Sequence, residues 1–259
     1  MPRFAANLSF LYQDLHFLDR IAQAAADGFG AVEYASPYEV DKADISAALA
    51  RAGIVQALFN LPAGNWATGE RGIACLPDRV EEFRRGVDLA IDYAQSLDCP
   101  VVNCLAGLAP AGSDAAALDR IFIDNLRYAA PRLTDAGIGL VIEPINRRDM
   151  PSFHLATTDH AERILEAVGS DSLKIQYDFY HMQIMQGDLV PTFERLADRI
   201  GHVQIADNPG RNEPGTGEIN YPFIFASLDR LGYSGWVGCE YTPTAAGTAW
   251  MKRYQRSAS

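Results

Sequence analysis

Four polar residues end four successive strand-like apolar runs: Glu143 in GLVIEPIN, Asp178 in LKIQYDFYH, Gln204 in GHVQIAD and Glu240 in WVGCEY. Side chains alternate between the two faces of a strand, so in the right register all four point inward and surround one point. Three carboxylates and an amide carbonyl are hard oxygen donors that favour Mg2+ or Mn2+, and a set without His or Cys argues against a tight zinc site. Carboxylates gathered without a cation repel one another and lose hydration. Four such positions in consecutive units therefore predict a divalent-metal site rather than unrelated polar strand ends.

Other side chains suit a small anionic substrate. His181, three positions after Asp178, can orient a substrate oxygen or shuttle a proton. Arg71 in GERG and Arg211 in NPGRNEPGTG are loop cations of the type that clamps a carboxylate bidentately, and Trp66, in the same loop as Arg71, can close over a ligand and exclude water. His202 shares the inward parity of Gln204 but sits deeper, as a packing or supporting group. Lys174, four residues before Asp178, falls toward the floor, where an internal ion pair is expected. His16, His154 and His160 carry no spacing signal.

The elements that position these residues are eight β-rich runs: RFAANL, AVEYA, VQALFN, VVNCLAG, GLVIEPI, LKIQYDF, HVQIAD and WVGCEY. Amphipathic segments follow them at 15–27, 41–52, 79–97, 114–136, 158–168, 188–199, 221–231 and about 245–255. In 79–97, Val80, Phe83, Val87, Ala90, Ile91 and Ala94 recur at helical spacing, with charged residues on the other face. One polar residue near each strand end gives Asn7, Glu33, Asn60, Asn103, Glu143, Asp178, Gln204 and Glu240, at gaps of 26 to 43 residues, the length of a strand, helix and two loops. Eight parallel units remove both sheet edges by closing, so the predicted fold is α/β, a single-domain (β/α)8 TIM barrel over residues 1–259. An open doubly wound sheet would be expected to carry a Gly-rich dinucleotide fingerprint after the first strand, and none is there. Three long loops that follow strands, 61–78, 144–157 and 208–220, are punctuated by Gly and Pro and would build the site.

The chain has 22 basic and 33 acidic residues among 259, a formal charge of −11. That leaves no positive field for a polyanion, so the expected partner is a small hydroxy or keto acid, with neither nucleic acid nor anionic membrane. Cys75, Cys99, Cys104 and Cys239 have no metal-binding or disulfide spacing and read as reduced thiols. With a start that lacks a signal-peptide pattern and no apolar stretch of spanning length, the expected location is cytoplasmic. A homo-oligomer is compatible, but no interface residues stand out.

At NLPAGNWATGERGIACLPDR, IEPIN, YDFYHM, HVQIADNPGRNEPGTGEINY and WVGCEY the sequence resembles the hydroxypyruvate isomerase family, within the xylose-isomerase-like TIM barrels. The likeness runs over nearly the whole chain. It implies metal ligands at Glu143, Asp178, Gln204 and Glu240, with Glu143 and Glu240 as the proton-transferring pair. The implied reaction interconverts hydroxypyruvate and 2-hydroxy-3-oxopropanoate (tartronate semialdehyde) through an enediolate, with Mg2+ as Lewis acid. The neighbouring 2-oxo-tetronate isomerases share the pattern. Ketose 3-epimerases are similar but carry His where this chain has Gln204, which weakens a sugar-epimerase reading; a 3-epimerase or dehydratase acting on a related hydroxy acid would share the enediolate step and differ in where the proton goes next. An endonuclease-like barrel would need more His ligands and a basic groove, and a non-catalytic binding module would show no proton exchange.

Overall fold

The computed structural model describes residues 2–244 and 247–254. Eight parallel strands form one closed barrel in sequence order: β1 Arg3–Asn7, β2 Ala31–Tyr34, β3 Val55–Asn60, β4 Val101–Cys104, β5 Gly139–Ile142, β6 Leu173–Asp178, β7 Ile200–Ile205 and β8 Trp236–Cys239. Pairing of β1 with β8, from Arg3 opposite Trp236 to Ala6 opposite Cys239, closes it. The helices are α1 Phe17–Ala26, α2 Lys42–Ala52, α3 Val80–Ser96, α4 Ala115–Asp135, α5 Thr158–Val168, α6 Phe179–Met185, α7 Leu189–Arg195 and α8 Tyr221–Arg230. No helix among the described residues is long and apolar enough to cross a membrane.

The helices form because their apolar stripes have a sheet to cover. In α3 the buried face is Phe83, Gly86, Val87, Ala90 and Ala94, the expected stripe apart from Val80 and Ile91, which are half-buried, while Gly86 lets the helix approach Pro62 closely. Helix starts are capped by the residue types that compete poorly inside helices. Asp41, Asp114, Thr157 and Asn220 each accept a backbone N–H from the first turn. Inside the barrel the floor is filled by Ala5, Ala31 and Ala57 with Trp236 against them, and the layer above is polar.

Two expected elements differ. The segment from about 245 to 255 is a short 3-10 helix at Ala249–Arg253, and residues 245, 246 and 255 lie outside the described residues. Its Trp250 packs edge-on against Phe4 and stacks on Phe225, so packing of one aromatic side chain on these two rings, rather than a long helix, fixes this end. In addition, α6 begins directly at the end of β6, because Asp178 accepts the Tyr180 N–H and caps a short helix ahead of the 188–199 segment.

Lys174 does not make the internal ion pair expected of it. Among the described residues its amine makes no ion pair or hydrogen bond, and the half-buried side chain lines a cavity of about 890 Å³ at the N-terminal mouth of the barrel. The four cysteines are free and buried. Burial pushes the Cys75 and Cys99 thiols up to about 12, so packing is their role.

Candidate active site

The eight strand-end residues chosen by spacing gather at the barrel interior, and hydrogen bonds link six of them in two runs, Asn60–Asn103–Glu143 and Asn7–Glu33–Gln204. Asn103 Nδ2 donates to Asn60 Oδ1 (3.2 Å) and to Glu143 Oε2 (3.1 Å). Asn7 Nδ2 donates to Glu33 (2.9 Å), Gln204 Nε2 donates to Glu33 (2.6 Å), and Gln176 Nε2 donates to Gln204 Oε1 (2.6 Å). Pairing of Asp178 with Gln204 and of Gln204 with Gly238 sets these residues at one level. Glu143 and Glu240 each stand one residue past their strands, on the C-terminal face where barrel enzymes place their chemistry.

Glu143, Asp178, His181 and Glu240 converge, each offering a ligand atom within 4.8 Å of the others. Two carboxylate oxygens, Glu143 Oε1 and Asp178 Oδ2, are buried and accept no hydrogen bond. Burial, with Glu240 and Asp178 alongside, holds the Glu143 carboxyl well above the usual carboxylate range. Burial likewise pushes Asp178 up to about 6 and Glu240 up to about 7, with Arg211 restraining both rises. Orphaned oxygens in a largely buried cluster of three carboxyls fit a divalent cation, whose charge would offset the desolvation and repulsion of their ionised forms.

His181 joins this cluster more closely than its spacing suggested. Its Nε2 lies 3.7 Å from Glu143 Oε1 and 3.6 Å from Asp178 Oδ2. The hydrogen-bond network assigns its tautomer. Asn146 Oδ1 accepts the Asp149 N–H (2.8 Å), which turns the Asn146 amide so that Nδ2 donates to His181 Nδ1 (2.7 Å). Nδ1 is then an acceptor, and the ring proton sits on Nε2, facing the carboxylates. Burial, then the nearby Arg211 charge, depresses the His181 pKa well below the ordinary value, so the ring is neutral. A neutral ring with its proton on Nε2 is a hydrogen-bond donor toward the centre of the site.

Arg211 also reaches the cluster. Its Nη2 donates to Glu240 Oε2 (2.7 Å), and its guanidinium lies over Phe10 (4.6 Å) and Tyr180 (5.1 Å). Burial works against the charge, but Glu240 and Asp178 hold its pKa above the guanidinium value. Asp207 fixes the loop that carries it. Its two carboxylate oxygens accept the backbone N–H groups of Asn208, Gly215, Gly217 and Ile219 at 2.8–3.0 Å.

Arg71 and Trp66 stay together on the 61–78 loop. The Arg71 guanidinium lies 4.2 Å from the centre of the Trp66 ring, and its Nη1 donates to the carbonyls of Trp66 and Glu70. Neither residue contacts the carboxylates. Trp66 is 38% exposed on the face that carries the site.

Residues that spacing alone left without a role complete the site. Asn103, Asn146 and Gln176 orient its carboxylates, histidine and amide. Inward parity two residues before Asp178 was the available signal for Gln176, whereas Asn146 lies in a loop and had none. His202, placed by parity as a supporting group, has Nε2 2.6 Å from Glu33 Oε2. His154 and His160 share the oxygen Asp119 Oδ1 (2.7 and 2.8 Å) and clasp the 144–157 loop and α5 to α4.

Residues 21–257 match the model of the xylose isomerase-like TIM barrel. The chain is 51% identical to hydroxypyruvate isomerase of Escherichia coli K12, covering 98% of this chain and 100% of that one. It is 48% identical to 2-oxo-tetronate isomerase of Cupriavidus necator, covering 98% and 99%. The crystal structure of AP endonuclease, family 2 from Brucella melitensis superposes with a TM-score of 0.96 at 43% identity, covering 99% of this chain and 100% of that one.

Proposed function

We propose, since the chain belongs to the xylose isomerase-like TIM barrel family, that it is a metal-dependent aldose–ketose isomerase interconverting hydroxypyruvate and 2-hydroxy-3-oxopropanoate. One observation carries this reading: two glutamates and an aspartate converge in a buried cluster with unpaired oxygens, facing a neutral histidine donor and an arginine. The 51% identity to the hydroxypyruvate isomerase supports the substrate assignment. The 48% identity to the 2-oxo-tetronate isomerase supports a longer acid as the second reading.

Glu143, Asp178, Gln204 and Glu240 would hold the cation, Mg2+ or Mn2+, through oxygen alone. Bound there, it would supply Lewis-acid polarisation of the substrate carbonyl and charge stabilisation of the enediolate. The remaining work falls to the chain's own residues. One of Glu143 and Glu240 removes the proton from the hydroxyl-bearing carbon next to the carbonyl, the other returns one to the former carbonyl carbon, and the hydroxyl proton passes to the former carbonyl oxygen. Without a cation, burial raises both carboxyls; with one held among them, the ionised form that takes up a proton would be favoured. His181 Nε2–H donates to a substrate oxygen as negative charge develops on it. Arg211 pairs with the substrate carboxylate, exchanging part of its bond to Glu240, and Trp66 with Arg71 stacked on it covers the mouth.

Proton NMR in D2O with Mg2+-loaded protein tests this. Hydroxypyruvate should exchange its C–H with solvent and appear as 2-hydroxy-3-oxopropanoate. Faster turnover of 2-oxo-tetronate would favour the second reading. Exchange without isomerised product would indicate epimerisation or dehydration, and no exchange with either acid would refute the substrate class.

A further inference from the structure

Glu33 is fully buried on the barrel axis, and each of its oxygens is met by donors: Asn7 Nδ2 and Gln204 Nε2 on Oε1, His202 Nε2 on Oε2. An ionised carboxylate only accepts hydrogen bonds, so the side of the Gln204 amide that faces Glu33 must be its NH2. The carbonyl oxygen is thereby turned the other way, where it accepts from Gln176 Nε2 (2.6 Å). A carbonyl oxygen has two lone pairs, and one remains after Gln176. The fold reserves room for this arrangement. Gly238 pairs with Gln204 across β7 and β8, and a Cβ at Gly238 would overlap the Glu33 carboxylate.

We infer that Glu33, steadied by His202 and Asn7, is the positioning residue that selects the oxygen of Gln204 as a donor to the cation. An amide has nearly the same shape either way round, and its NH2 facing a cation would repel it. A buried carboxylate behind the amide removes that alternative and draws electron density toward the carbonyl, as carboxylates do behind ligating histidines. This inference rests on the reading of Gln204 as a cation ligand, and the test separates the two.

Mn2+ binding to the metal-free protein is followed by electron paramagnetic resonance, with circular dichroism confirming that each variant is folded. Gln204→Leu tests the ligand reading and should weaken Mn2+ binding at least about tenfold. Glu33→Gln offers the amide a partner that accepts either orientation and should weaken binding about 10- to 100-fold, the range seen when groups behind metal ligands are lost. Gly238→Ala displaces the Glu33 carboxylate without altering any polar side chain and should reproduce that loss. If Gln204→Leu weakens binding while Glu33→Gln and Gly238→Ala leave it within twofold, Glu33 has no positioning role although the ligand reading stands. If Gln204→Leu itself leaves binding unchanged, Gln204 is not a ligand and both fail. Should Glu33→Gln not fold, Gly238→Ala decides between these outcomes on the same readout.

Discussion

A glutamate that moves a proton and one that only holds a cation respond differently when the charge is removed and the shape kept. Glu240→Gln retains an oxygen donor yet cannot take a proton, so solvent exchange of the substrate C–H should fall by at least about 10²-fold, the lower end of general acid–base contributions. Exchange near the native rate would take Glu240 out of the mechanism. The raised carboxyls also make a stability prediction. Asp178 and Glu240, at about 6 and about 7, bind protons more tightly folded than unfolded. From about pH 4, the unfolded value, up to about pH 7, the folded state carries the extra protons, so stability falls as pH rises and levels off above pH 7. The Tm of metal-free protein should therefore drop between pH 5 and 8, less steeply in Asp178→Asn, which can still cap α6. Mg2+ should oppose the drop by favouring the ionised forms. Native and Asp178→Asn curves that run parallel would show that Asp178 is not the titrating group.

At the scale of elements, the site depends on an anchored loop and a helix start. Four backbone N–H groups of the 208–220 loop and its edges end on Asp207, and Arg211 rides on that loop. Asp207→Ala leaves these donors without their acceptor, at roughly 1–3 kcal/mol for each that stays dry. A loss of at least about 2 kcal/mol in denaturant unfolding is expected, with a raised KM as Arg211 loses its place. Unchanged stability would mean that water replaces the carboxylate. The glycines and prolines of this loop were legible as turns, but its anchor was not, because backbone N–H partners leave no residue signature. Helix α6 was hidden for a related reason. Asp178 serves as strand end, cap and candidate ligand at once, and the strand pattern masks the other two roles.

Taken whole, the molecule is acidic, with a formal charge of −11, and its candidate site is a buried pocket of carboxylates. Although it superposes closely on a protein named as an AP endonuclease, a net charge of this sign is expected to disfavour binding of a polyanion. Incubation of a duplex containing an abasic site with Mg2+-loaded protein should give no strand cleavage above background; cleavage at a rate proportional to protein would overturn this. The sequence by itself determined the eightfold alternation, the closed barrel and the eight strand-end polar residues, because hydrophobic periodicity and unit length are local and repeat along the chain. It also marked Glu143, Asp178, Gln204, Glu240 and, three residues on from Asp178, His181. Only the tertiary structure decided which atoms meet. The Asn146 bond that sets the His181 tautomer, the reach of Arg211 to Glu240 and the Glu33 bonds to Gln204 and His202 join residues 35, 29, 171 and 169 positions apart. Spacing specifies a direction within one strand, while the Glu33 contacts depend on how closure of the barrel brings β2 near β7, and the other two on how loops after β5 and β7 fold over neighbouring units.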